Sequence, residues 1–333
     1  MSPRAKSTVL LVAKVAVAAT LITWLVRGGA LDFGKLRVLV EHPWLFAMNL
    51  GVFAIGVVAN GLRWRVLLGA AGVVLPLRRT FQLQMTALFF NVVIPGNVGG
   101  DVVKALYVAR DADKEKRTTI LLIVFAERLL GLGGLVTIAT VITVLRGPVL
   151  WSDPLLRPMA ATVALLGVAT VVGPAVMVYA MRRGGARVEA WLSGSSRLAK
   201  LLAQLAAALR LLSSKPKSLL AGLALSMGFH ATGIALFTVL TQVITHQDVT
   251  YSAVATVFPL GLLTIVLPIS PAGLGVGHVA FDRLFAAIGL SGGATVFNVY
   301  IIGQMAPCLL GVFPYLTLKR SGALPAPENV GHS

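Results

Sequence analysis

The sequence predicts an all-α polytopic membrane protein: about six spanning helices plus two re-entrant hairpins, arranged as an inverted repeat. Three observations carry this. Of 333 residues, 57% are hydrophobic and only 12% charged, with a mean hydropathy of +0.86. A soluble fold of this size cannot hide so much apolar surface. Two apolar stretches are broken halfway by Pro/Gly clusters, and most Lys and Arg fall in connections that alternate spans place on one side.

Taken in order, the first apolar run is 8–26. It is longer than the roughly 7–15 residues of a signal-peptide core, so it reads as a first span, with Lys14 snorkelling to the headgroups. Further runs long enough to cross are 44–62, 118–145, 158–181, 218–245 and 294–318. Residues 80–110 and 251–290 each hold an apolar half, a Pro/Gly break and a second apolar half. Such breaks survive at membrane depth only where protein or a watery cavity covers the freed backbone, so both read as re-entrant hairpins.

With the N-terminus inside and both hairpins returning, the cytoplasmic segments carry 21 Lys and Arg and the external ones five. Counting 80–110 as a full crossing instead would export the basic loop 182–217. The domain organisation follows: 1–146 is a first repeat with a cytoplasmic-side hairpin at 80–110. Residues 147–320 form a second, inverted repeat with an external-side hairpin at 251–290, and 321–333 are a disordered tail. Within the second repeat, leucines at helical spacing predict an interfacial helix over 186–212. The expected location is the bacterial cytoplasmic (inner) membrane, multi-pass, with both termini cytoplasmic.

The net charge of +17 lies in loops, not in a stripe, so it speaks for anionic headgroups and against nucleic acid. The segment 29–36 approaches a phosphate-binding loop, but Leu36 stands where a Ser or Thr would ligate magnesium. The five His show no metal-ligand spacing, and no nucleophile–base arrangement stands out. The expectation is a non-enzyme with no metal and no cofactor.

Polar groups at membrane depth are the candidate site, because each charge there costs roughly 2.5–3.5 kcal/mol unless paired or hydrated. Glu127 and Arg128 sit mid-span, and as neighbours they diverge by about 100°, so at least one must face another element. Asp101 and Lys104, at i and i+3, can pair; Asp101 also reads as an acid favouring a helix start. Before them come Asn91 and the turn Pro95, Gly96, Asn97, Gly99, Gly100, whose amides could converge on a phosphate or other anion. The second hairpin offers Pro268, Ser270, Gly273, Gly275, then His278 and Asp282 at i+4. His278 reads either as a proton relay or as a satisfied interior histidine. Gly131, Gly133 and Gly134 read as close helix packing, and Asn298, Tyr300 and Gln304 as interhelical glue.

At these residues the chain resembles the lysylphosphatidylglycerol synthase transmembrane-region family, flippase-like integral membrane proteins. The resemblance rests on Pro95 to Lys104, on Glu127-Arg128 and on the run Leu267 to Gly275, and spans about residues 5–320. The family often has Arg where Lys104 stands and Glu where His278 stands. Some members add a C-terminal aminoacyl-transfer domain, which this sequence is expected to lack. The resemblance therefore implies lipid translocation, with aminoacylated phospholipids or polyprenyl and other glycolipids as substrates. Two alternatives stay open: an accessory subunit presenting lipid to a membrane glycosyltransferase or synthase, and a small-solute secondary transporter.

Overall fold

The computed structural model describes residues 37–93, 99–192, 199, 203, 215–266 and 275–320. The expected first span, the segment 29–36, the turn residues Pro95, Gly96 and Asn97, the residues Pro268, Ser270 and Gly273, and the tail 321–333 lie outside these. So does most of the expected interfacial helix. The described chain is helical: α1 (Arg37–Glu41), α2 (Pro43–Ala70), α3 (Leu77–Val93), α4 (Gly99–Asp111), α5 (Lys114–Leu145) and α6 (Gly147–Ser152). After these come α7 (Leu156–Leu192), α8 (Pro216–Thr245), α9 (Tyr251–Val266), α10 (Val276–Ala287), α11 (Gly293–Met305) and α12 (Val312–Arg320).

Among the described residues, five stretches are long and apolar enough to cross a membrane: Pro43–Ala70, Lys116–Leu145, Leu156–Gly173, Pro216–Thr245 and Gly293–Leu318. They coincide with the five described runs read from hydropathy. Both α2 and α8 open on a proline, whose missing N–H costs nothing in a first helical turn. The last span changes to a 3-10 helix over Ala306–Gly311, where Pro307 removes an α-helical hydrogen bond. At the far end, α7 continues unbroken to Leu192, so residues 186–192 prolong a spanning helix. The eight residues gained over 44–62 at the end of α2 matter more: the apolar run ends before Arg63, but the helix goes through it to Ala70.

Each broken stretch folds back on itself. In the first, Gly100 N donates to Asn91 Oδ1, Lys104 reaches Gln84, and Arg79 lies 3.7 Å from Asp111. In the second, Gly277 lies against Ile265, Phe281 against Gly261, and Gln247 exchanges hydrogen bonds with Ser291 at 2.7 and 3.2 Å. The arms of both pairs are thus antiparallel, and the two ends of each stretch are neighbours. Gly100 permits the first closure, since any Cβ there would run into the Ala87 carbonyl.

The centre is α2 packed along α8. They run antiparallel: Gly56 sits against the Phe229 ring while Arg63, further along, reaches back to Ser226. Around this pair, α3–α4 packs against α2 and α5, and α9–α10 against α8 and α11. Buried side chains fall into two clusters. One is centred on Trp64, Leu83 and Ile120, and the other on Phe237, Phe281 and Phe297.

Candidate functional site

Five charged side chains from three elements meet beside the first helix pair. Lys104 Nζ on α4 donates to Glu127 Oε2 on α5 at 2.6 Å and lies 3.3 Å from Asp101 Oδ1. Its Nζ also stands 5.0 Å over the Trp64 ring. Glu127 Oε1 lies 3.6 Å from Arg63 Nη2 on α2, and Arg63 Nη1 donates to Ser226 Oγ at 2.7 Å. Asp101 Oδ2 accepts from Arg128 Nε and Nη2 at 2.9 and 2.7 Å. The order is Arg63, Glu127, Lys104, Asp101, Arg128, alternating in sign and carrying one excess positive charge.

Burial grades along this chain. Lys104 is 1% exposed, Glu127 5% and Arg63 8%, whereas the Arg128 side chain is 41% exposed. Groups so far from water persist because each has an opposite charge in contact. Both terminal cations, with Asp101, line a cleft of about 600 Å³. Asn60, Asn91 and His230 complete its polar wall. The rest is apolar and comes from both halves, including Leu132, Phe229, Leu262, Ile265 and Met305. Both helix pairs contribute: Val92 and Ile265 line the cleft immediately before the two Pro/Gly breaks. Arg63 Nε is buried without a hydrogen-bond partner among the described residues, a donor left over in the cleft wall.

Of the residues singled out from sequence, Asp101, Lys104, Glu127 and Arg128 form this cluster, and Asn91 lines the cleft. Glu127 and Arg128 do diverge, each to a different partner on α4. The reading of Gly100 as an anion-binding amide is corrected. Its N–H is already donated to Asn91 at 2.9 Å, so Gly100 serves the close approach of the hairpin arms; Gly99 is the first residue of α4. Gly275, His278 and Asp282 do not line the cleft. Gly275, at φ +83°, donates to His278 Nδ1 at 3.3 Å, and His278 Nε2 lies 3.3 Å from Asn298 Oδ1. Asp282 is exposed and accepts from Ala294 N, tying the start of α11.

Sequence reading missed Arg63 and Ser226. The charge count places Arg63 and Lys104 in cytoplasmic loops, whereas both are buried. Removing the two leaves the charge bias on the same side. The available signal was that the apolar run resumes after Arg65, through Val66, Leu67 and Leu68. Ser226 gave no signal, being one hydroxyl in a long span. Of the three glycines read as close packing, Gly134 is closely packed: a Cβ there would press on Ser226. Gly131 makes an ordinary contact with the Arg63 guanidinium, and Gly133 has room, with Thr170 4.0 Å from where its Cβ would stand.

Among the described residues, five spans, two folded-back helix pairs and a charged cleft define a multi-pass membrane protein with an internal polar site. The particular family follows from comparison: the model of the lysylphosphatidylglycerol synthase transmembrane region matches residues 11–305, and the chain belongs to that family. No curated protein and no solved structure matches it.

Proposed function

We propose that this protein translocates lipids with an anionic headgroup through the cleft between its halves. The observation that carries this is the alternating charge chain, which ends at the cleft in two cations, Arg63 and Arg128. A phosphate held there would meet one surplus positive charge, while the apolar wall accommodates the adjoining chains. The matched family describes a transmembrane region, which is not itself catalytic, and that supports moving lipid over modifying it. Antiparallel α2 and α8, together with two self-closing helix pairs, support an inverted repeat whose hairpins enter from opposite faces. The charge bias supports cytoplasmic termini in a bacterial inner membrane.

The test uses purified protein in liposomes and fluorescent phosphatidylglycerol, with a neutral diacylglycerol probe as control. Wild type is expected to move phosphatidylglycerol between leaflets. Arg63→Met is expected to abolish that movement while the protein still elutes as one species. Unchanged movement with Arg63→Met would remove the headgroup role of the cluster.

A further inference from the structure

The charged cluster has a counterpart in the second half of the chain, position for position. Counted from the prolines that open α2 and α8, Trp64 and Phe237 stand in the same register. So do Gly56 and Phe229, which touch one another across the centre. Lys104, three residues after Asp101, lies over Trp64 and against Glu127. Phe281, three residues after His278, packs on Phe237 with ring centroids 4.8 Å apart and stacks on Phe297 at 4.9 Å. Asp101 binds Arg128, the residue after Glu127; His278 meets Asn298, the residue after Phe297. The same contacts are therefore made twice, by a lysine–glutamate pair in one half and by a phenylalanine stack in the other.

We infer that only the first of these two equivalent positions binds a headgroup, and that the second is an apolar plug closing the cleft at its second-hairpin end. Phe237, Phe258, Phe281, Phe285 and Phe297 are fully buried, and Tyr300 is 7% exposed. Ring contacts join them into one body. It lies behind the cleft wall: Phe281 packs on Gly261, next to the lining residue Leu262, and Phe297 lies one turn before the lining residue Ile301. No group in this aromatic body carries the charge needed to hold a phosphate. A headgroup leaving by that end requires the rings to part, whereas the opposite wall presents the partly exposed Arg128. The inference rests on the headgroup reading only for the role of the first position; the plug itself is a statement about water access.

Cys308 lines the cleft, is only 7% exposed with its thiol donating to Gln304 O, and is the only cysteine in the sequence, so its reaction requires the cleft to open to the reagent. A small charged methanethiosulfonate is applied to right-side-out and to inside-out vesicles. Wild-type Cys308 is expected to react faster from the face of the first hairpin, the cytoplasmic face by the charge count. Phe297→Leu and Phe281→Ala are expected to raise the rate from the other face about ten-fold, as when an open state grows from roughly 1% to roughly 10%. The rate from the first-hairpin face should stay within two-fold, roughly, by the same logic. Equal wild-type rates from both faces, or variant rates unchanged from the outer face, overturn the plug. An increase from both faces alike in the variants overturns it too, since that is general loosening. Reactivity of Cys308 does not depend on lipid movement, so a failed transport assay leaves this result standing, and the reverse.

Discussion

Glu127→Gln should destabilise the protein measurably, because it strips the centre of the charge chain of its nearest counter-charge. The Lys104 side chain is 1% exposed and its Nζ holds Glu127 at 2.6 Å, with Asp101 the remaining carboxylate at 3.3 Å. Removing one partner of a buried pair typically costs about 3–5 kcal/mol. Asp101 stays, and glutamine still offers a carbonyl oxygen, which places the loss near the lower end, about 3 kcal/mol. At roughly 2 °C per kcal/mol for a chain of this length, the thermal midpoint should fall by about 6 °C. The assay is apparent melting in detergent, read as the fraction still eluting as a single species. Lys104→Met combined with Glu127→Gln removes the ammonium that has lost its nearest carboxylate, so the double variant should lose clearly less than the summed single losses; Arg63, whose carboxylate partner is Glu127, is left in the same state in the single and the double variant. An unchanged midpoint for Glu127→Gln, or strict additivity in the double variant, would refute the coupling of the two groups.

Two further outcomes follow from the hairpin geometry. Gly100→Val should destabilise by about 1–3 kcal/mol or more, as overpacking does, because its Cβ meets the backbone carbonyl of Ala87 and cannot be accommodated by rotating a side chain; the same change at Gly133, whose nearest neighbour lies at 4.0 Å, should cost less. In a Cys308→Ala background, single cysteines at Arg79 and Ala112 should react with an impermeant reagent from the same face, since Arg79 and Asp111 are 3.7 Å apart; reaction from opposite faces refutes a returning first hairpin.

Sequence alone determined the membrane class, the five described spans and the two broken stretches. Each rests on a property local to the chain: hydropathy over some twenty residues, or a Pro/Gly cluster that ends a helix whatever surrounds it. Asp101, Lys104, Glu127 and Arg128 were legible for the same reason, as charges standing inside apolar runs where charge is costly. The Asp101–Lys104 pair was legible from its i, i+3 spacing, but who pairs with whom between helices was not. Arg63 looked like the end of a span until α2 was seen to continue and to meet Ser226 on α8, 163 positions away in sequence. The amide of Gly100 looked like a free donor until Asn91 folded back onto it. Spacing left His278 open between a proton relay and a satisfied interior histidine; its contacts with Gly275 and Asn298 fit the second, Asp282 ties the start of α11, and Leu262 and Ile265 line the cleft. Tertiary structure alone decided these, because a hydrogen bond or ion pair is fixed by which helix faces meet, and spacing along one helix constrains only one of the two faces.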